Sequence, residues 1–328
     1  MLTDYWIVAL LVGQTCAFVL MASAVFHAGH ILRTWRKHTY DETQLWLERK
    51  SYLVDVLLRV VLSFQVLSLV LFLFTINYHL PPLIEGAMCG TGTLALNEHG
   101  YKTLFIKIFA IFIYLLFLFT QSLDESEPES PLTPIKYIFV FPALLLMTWE
   151  GVLMTQYFAG IDPDVIATCC SVSDILATDT DTSSFLSTGA YTYHALMGFV
   201  NLAFVLGYLL YFSGRRYFWH LLIGLVYVGM AAYSLKYFFV KYIYGLPSHT
   251  CLFDLFFVKY YGVGFLIFGS YFVLIGSLLF LVLIRFFRPI LQQNTWVREK
   301  RLRYLALFAL SVSFVVPVVY WLLWEGIL

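Results

Sequence analysis

Cysteine is the residue type in this chain whose placement most suggests chemistry. Four of the five cysteines lie between long apolar stretches, namely Cys89, the adjacent pair Cys169 and Cys170, and Cys251. The fifth, Cys16, lies inside the first apolar stretch, where we expect a small packing residue. The sequence contains no Cys-x-x-Cys, the spacing that activates a thiol in thioredoxin-type catalysts.

Three interpretations of these four cysteines remain open: structural disulfides, a redox-active set that exchanges electrons with a thiol partner or a quinone, and metal ligands. Adjacent cysteines rarely bond each other because the ring is strained, so we expect Cys169 and Cys170 to partner Cys89 and Cys251. Thiolate and imidazole together suit zinc or copper, although no tight ligand spacing is present. The histidines near these cysteines are His79, His99, His194 and His249.

Three further histidines lie at the ends of apolar stretches and could hold a haem. His27 and His30 are three residues apart, so a helix places them on nearly one face. His220 begins the sixth apolar stretch at the same predicted depth. Two histidines from different helices at one depth could hold a bis-histidine b-type haem, and the simpler alternative is hydrogen bonding to helix ends or lipid headgroups.

Charged residues inside the apolar stretches form a separate group of candidates. Glu150 and Lys236 are about equally far from the predicted outer ends of their helices, and an ion pair between them would offset their desolvation. Lys107 either joins this group or extends its amine toward the headgroups. Asp55 and Arg59 are four residues apart and can pair within their own helix. Such charges serve either helix packing or a proton or ion path.

The elements that must position these residues are membrane-spanning helices. The chain has 328 residues, of which 61% are hydrophobic and only 12% charged, with a formal net charge of zero. This composition excludes a soluble globule, a disordered chain and a basic nucleic-acid-binding surface. About 20 apolar residues span the hydrocarbon core as a helix. Eight stretches qualify, at about 6–32, 52–77, 103–122, 136–158, 190–213, 218–244, 255–286 and 304–325.

The distribution of basic residues predicts the orientation of this all-α, polytopic membrane bundle. Lysine and arginine concentrate in the loops after the first, fifth and seventh stretches, so these loops are predicted to be cytoplasmic and both termini to face outward. The whole chain, 1–328, is predicted to be one transmembrane domain. Its outer loops are about 78–101 and 159–189, and its cytoplasmic linker is about 123–135. A Leu-Pro pair before a cysteine occurs at Leu80 and again at Leu246, which hints at a duplicated half.

From these features we expect a multi-pass subunit or assembly component that works with outward-facing, periplasmic or membrane-bound redox proteins. The expected environment is a lipid bilayer, with the inner membrane of a bacterium as the predicted location and no nucleic-acid partner. One alternative is a haem- or quinone-linked electron-transfer anchor, for which b-type haem is the candidate cofactor. The other is a secondary transporter that uses Glu150 and Lys236.

Overall fold

The computed structural model describes residues 4–35, 42–127, 130–162, 189–212, 217–245, 251–291 and 295–324. Every regular element within these ranges is helical, which confirms the predicted all-α class. The α-helices are α1 (Tyr5–Thr34), α2 (Glu42–Phe74), α3 (Gly90–Leu94), α4 (His99–Asp124), α5 (Thr133–Ile138), α6 (Val140–Ala159), α7 (Gly189–Phe212), α8 (Tyr217–Ser234), α9 (Val240–Tyr244), α10 (Val263–Phe287) and α11 (Trp296–Trp324).

Eight helices of the described ranges are long and apolar enough to cross a membrane, as the sequence predicts. They cover Tyr5–Thr34, Leu45–His79, His99–Asp124, Thr133–Ala159, Tyr193–Phe212, Tyr217–Tyr244, Val263–Phe287 and Trp296–Leu323. Many of their large apolar side chains are exposed, for example Phe26 and Phe105. A helix that faces lipid needs no polar outer side, so this exposure fits a multi-pass membrane protein.

The seventh span begins later than predicted, at Val263 instead of residue 255. Residues Phe253–Phe256 and Val258–Tyr260 form two 3₁₀ turns, and Tyr261 and Gly262 then adopt left-handed backbone angles with φ of 56° and 60°. Left-handed residues break a helix, so the apolar run that the sequence shows is divided between two short turns and α10. These turns contribute residues to the candidate site described below.

The helices group into two compact units, one containing α1, α2, α4 and α6 and the other α7, α8, α10 and α11. In the first unit α1 packs against α2 and α6, and α4 packs against the same two helices. In the second unit α7 packs against α8 and α11, and α10 against the same two. The prediction of one transmembrane domain over the whole chain stays a prediction.

The second long helix of each unit continues into a π-helical segment, at Thr75–His79 after α2 and at Leu235–Phe239 before α9. A π segment contains an extra residue relative to an α-helix and is uncommon. The same order of neighbouring helices and a π segment in the same helix are what a duplicated four-helix unit would show. Each π segment lies close in sequence to its own Leu-Pro pair, the first to the pair at Leu80 and the second to the pair at Leu246.

Candidate functional site

Cys89 and Cys251 are brought together in the second unit. Their sulfur atoms are 2.9 Å apart although 162 residues separate them along the chain. Both side chains are buried, with 0% of Cys89 and 1% of Cys251 exposed. The distance is longer than a disulfide bond and shorter than an ordinary contact between sulfur atoms, so bond formation needs only a small movement.

Local hydrogen bonds fix the backbone of each cysteine. The carbonyl of Cys89 accepts hydrogen bonds from the backbone amides of Gly92 and Thr93, which form the first turn of α3. The carbonyl of Cys251 accepts a hydrogen bond of 2.5 Å from the hydroxyl of Tyr244, the last residue of α9. Each thiol is therefore held by a short segment that is itself anchored to a helix.

Two polar side chains of the described residues lie near the sulfur atoms. The hydroxyl of Thr91 lies 3.4 Å from the sulfur of Cys251. A carboxyl oxygen of Asp254 and the two sulfur atoms all lie within 4.8 Å of one another. We call Cys89, Cys251 and Asp254 the cysteine–aspartate cluster. Its three potential ligands, two thiolates and one carboxylate, are of types that zinc takes in proteins.

The start of α10 holds the turn that carries Asp254. Gly264, in the first turn of α10, packs on the backbone of Leu255, and an added Cβ at Gly264 would lie 3.0 Å from the carbonyl carbon of Leu255. Such a contact is closer than a Cβ normally makes, so a side chain at this position would require the backbone of Leu255 to shift. Glycine at this position therefore helps to place Asp254 near the sulfur atoms.

The cysteine pairing expected from the sequence stays a prediction. Cys89 and Cys251 were expected to partner Cys169 and Cys170, yet the structure places them against each other. Disulfide connectivity depends on how loops fold back on the helices, which cysteine positions alone do not determine. Cys169 and Cys170 lie outside the described residues. Cys16, expected to be a small packing residue, is exposed on α1.

The ion pair predicted between Glu150 and Lys236 is also corrected. The carboxylate of Glu150 pairs with the ammonium group of Lys107 on α4, and both side chains are buried. The hydroxyl of Tyr114 donates a hydrogen bond of 3.5 Å to the same carboxylate. Lys236 instead stands over the ring of Tyr237, at 4.9 Å from its centroid. Matching depth does not define a pair, because the rotation of each helix decides which face a charge occupies.

A second buried polar network lies at the predicted cytoplasmic end of the first unit. The ammonium group of Lys136 donates to Asp55 at 2.6 Å and to Asp124 at 2.8 Å. Arg59 pairs with Glu125, so the predicted Asp55–Arg59 pair within α2 is not formed. The network joins α2 to α4 and α5, and it explains how Asp55 can be buried in an apolar helix.

The haem-ligand candidates occupy different units. His27 and His30 lie on α1, and His220 lies on α8. The Nε2 atom of His220 forms a hydrogen bond of 3.1 Å with the carbonyl of Leu209, in the last turn of α7. This is the alternative role expected from the sequence, in which the histidine hydrogen-bonds to a helix end. The Nδ1 atom of His27 is buried and has no hydrogen bond within the described ranges. His30 is exposed with its ring against Trp46.

Two of the outer histidines that accompany the cysteines in sequence have carboxylate neighbours. His79 bonds to Asp4 at 2.8 Å, and His99 lies 3.6 Å from Glu98. Partial burial raises the pKa of Asp4, but the hydrogen bonds from His79 and from the amides of Trp6 and Ile7 outweigh it, so the pKa is lowered. His194 is exposed on α7, and His249 lies outside the described residues.

The sequence pattern indicated the two cysteines but not Asp254, Thr91 or Tyr244. The signal available for Asp254 was its position three residues after Cys251. Thr91, two residues after Cys89, had an equally local signal. Nothing in the sequence distinguished Tyr244 from the many other tyrosines at the ends of spans.

Comparison with protein-family models, with curated proteins and with solved structures gives no match to this chain.

Proposed function

We propose that this chain is a multi-pass membrane subunit or assembly component that works with outward-facing redox partners, and that Cys89 and Cys251 form a disulfide on its outer side. The 2.9 Å distance between the two sulfur atoms is the observation that carries the proposal. The predicted orientation places both cysteines on the side of the membrane where disulfides persist. The proposed location is the inner membrane of a bacterium.

The bond forms by thiol–disulfide exchange with a partner protein that carries a disulfide. A thiolate of the pair attacks the partner's disulfide, forms a mixed disulfide and releases one partner thiolate. The second cysteine then attacks the mixed disulfide. Cys89 and Cys251 lose two electrons and two protons in total, and the partner gains them as two thiols. No other oxidant is needed.

Burial of the pair favours a structural role after this step. Thiols that catalyse repeated exchange are usually partly exposed, whereas both sulfur atoms here are shielded. The disulfide would tie the loop after the second span to the segment before the seventh and so fix the outer surface on which a partner docks. In this proposal the vicinal Cys169 and Cys170 are the candidates for continuing exchange.

Tagging of free thiols with a large maleimide under denaturing, non-reducing conditions tests the disulfide. In Cys89→Ser the released Cys251 should add one tag relative to wild type, and Cys251→Ser should do the same. The double variant should return to the wild-type number, because neither partner remains. Cys16→Ser, which removes a cysteine outside the cluster, should lose one tag.

The direction of these changes makes the test decisive. If the two cysteines are free thiols in the wild type, each single variant loses a tag instead of gaining one. If each cysteine bonds instead to Cys169 or Cys170, the double variant gains two tags. Either result would contradict the proposed bond.

A metal centre is the second candidate, because Asp254 adds a carboxylate to the two thiols. Zn²⁺ bound by Cys89, Cys251 and Asp254 would have three protein ligands and one open position. Denaturation with a chelator would release both thiols, so each single cysteine variant would lose a tag. Asp254→Asn would then lower the zinc content of the purified protein without changing the number of tags.

The other two hypotheses remain proposals with narrower support. For a b-type haem, the buried Nδ1 of His27 is the favourable observation, and a reduced-minus-oxidised visible spectrum tests it. For a secondary transporter, Glu150 remains the candidate acid, with Lys107 in the place proposed for Lys236. Transport that survives Glu150→Gln would contradict that role.

A further inference from the structure

The second unit contains a polar pocket that the proposed redox function does not use. The pocket has a volume of about 470 Å³ and lies between the end of α7, the first residue of α8 and the first turns of α11. Its apolar wall consists of Leu210 and Leu307. Its remaining lining residues are Tyr211, Tyr217, Trp296, Glu299, Lys300, Arg303 and Tyr304.

The guanidinium group of Arg303 is fixed in the pocket wall. Its Nε donates to the carbonyl of Leu210 and an Nη to the carbonyl of Tyr211, both at 2.8 Å. These carbonyls belong to the last turn of α7, where a cation also interacts favourably with the helix dipole. A guanidinium has further N–H donors that these two bonds do not use, and a ligand can accept hydrogen bonds from them.

Lys300 supplies a second positive charge held by aromatic rings. Its ammonium group lies 5.3 Å from the ring centroid of Trp296 and 5.9 Å from that of Tyr304. Both rings are one turn away on α11, so the cation is positioned by its own helix. The side chain of Lys300 is exposed, which leaves the ammonium group accessible.

Glu299 reduces the positive charge of the pocket but does not cancel it. Its carboxylate accepts hydrogen bonds from the hydroxyl of Tyr217 at 2.9 Å and from the hydroxyl of Thr295 at 3.0 Å. Among the described residues that line the pocket, two cations against one carboxylate leave a net charge of +1. A phosphodiester carries a single negative charge and would balance it.

We propose that this pocket binds a phosphate group, with Lys300 and Arg303 as the residues that contact its oxygens. Arginine presents N–H donors to phosphate in a fixed planar geometry, and lysine acts as a point charge beside it. The pocket lies at the ends of three spans on the predicted cytoplasmic side, where basic pockets between helices meet the headgroups of anionic lipids. The tyrosine and tryptophan rings are typical of this interface.

Native mass spectrometry of delipidated protein in mild detergent tests the proposal. Short-chain phosphatidylglycerol should bind more tightly than phosphatidylcholine with the same chains, because choline neutralises the phosphate charge. Lys300→Gln should lower the affinity for phosphatidylglycerol about fivefold, the contribution expected of one lysine near a membrane surface. The affinity should also fall as salt is added.

Lys259→Gln is the matched control. Lys259 is also exposed and lies over a ring, 5.5 Å from the centroid of Tyr260, but outside the pocket. The Lys259→Gln variant should bind phosphatidylglycerol with the same affinity as the wild type. Equal affinities of Lys300→Gln and wild type, or an equal loss in Lys259→Gln, would overturn the proposal.

Competition with inorganic phosphate distinguishes the two sources of the ligand. Displacement of phosphatidylglycerol by phosphate at similar concentrations would identify a site for the free anion. Retention of the lipid under excess phosphate would show that the acyl chains contribute and that the ligand is a lipid headgroup. Both results support a phosphate site.

Discussion

At the scale of single residues, the buried charges Lys107 and Glu150 depend on each other for their stability. Lys107 and Glu150 lie inside spans of the first unit, where neither charge has water to solvate it. Their attraction offsets a large desolvation penalty, so removal of one partner leaves the other charge buried without compensation. This contrasts with Lys102 and Glu98, an exposed pair at the start of the same helix, α4.

Lys107→Met should destabilise the protein by about 3–5 kcal/mol, because Glu150 is then an unpaired buried charge. The double variant Lys107→Met with Glu150→Gln should be more stable than the single one. Melting temperatures in mild detergent measure both effects. Lys102→Met, which breaks the exposed pair, should change the melting temperature little. If Lys102→Met lowered the melting temperature as much as Lys107→Met, burial would not be the cause of the destabilisation.

Asp4 provides a residue-level prediction about pH. Because the pKa of Asp4 is lowered in the folded protein, its contact with His79 contributes stability above the unfolded pKa of about 3.8. That contribution is lost as the pH falls through the lower, folded pKa. Asp4→Asn keeps a residue that caps α1 but removes the charge. The stability difference between wild type and Asp4→Asn, measured from pH 6 down to about pH 3, should therefore shrink at the acidic end.

At the scale of secondary-structure elements, irregular segments position the polar side chains of interest. These segments are of two kinds: π-helical parts of the long helices, and short 3₁₀ turns. The π segment Thr75–His79 brings His79 to Asp4 at the N-terminus of α1. The 3₁₀ turn Phe253–Phe256 places Asp254 near the sulfur atoms, and it does so through the close contact between Gly264 and Leu255.

Gly264→Ala should push the first turn of α10 away from Leu255 and destabilise the second unit by about 1–3 kcal/mol, as overpacking does. The same shift should reduce disulfide formation between Cys89 and Cys251, which the tagging assay measures. Gly269→Ala on the same helix is the control, since an added Cβ there would have no neighbour within 4 Å. Equal behaviour of the two variants would show that the contact at Gly264 is unimportant.

At the scale of the whole molecule, the two four-helix units share one plan: the same order of neighbouring helices and a π segment in the second long helix. Their chemistry differs, however. The first unit holds the buried Lys107–Glu150 and Lys136 networks, and the second holds the cysteine–aspartate cluster and the phosphate pocket. A duplicated scaffold with different polar residues in each copy would explain this combination.

The orientation of the chain can be tested with a membrane-impermeant maleimide on intact cells. Met88→Cys, at an exposed site beside Cys89, should be labelled above the wild-type background, because that loop is predicted to face outward. Arg301→Cys, at an exposed site on α11, should be labelled only after the cells are permeabilised. The reverse pattern would place the cysteines in the reducing cytoplasm and contradict the disulfide proposal.

The sequence by itself determined the class of the protein and the positions of the eight long apolar helices that the described residues contain. Long apolar runs must become helices in a bilayer because each helix satisfies its own backbone hydrogen bonds, so composition and length are sufficient evidence. The bounds of the eight stretches predicted from hydropathy differ from those of the helices mainly where a short turn is itself apolar. Residues 255–262 are the example, because they were assigned to the seventh span but form turns. It also selected Cys89, Cys251 and Glu150 as residues of interest.

Only the tertiary structure decided the partners of these residues. Glu150 pairs with Lys107 instead of Lys236, the sulfur of Cys89 lies beside that of Cys251, and the pocket that contains Lys300 and Arg303 joins residues from three helices. Each outcome depends on the rotation of a helix about its axis and on how loops fold back. Those quantities are set by packing between residues distant in sequence, which hydropathy and spacing along one chain do not record.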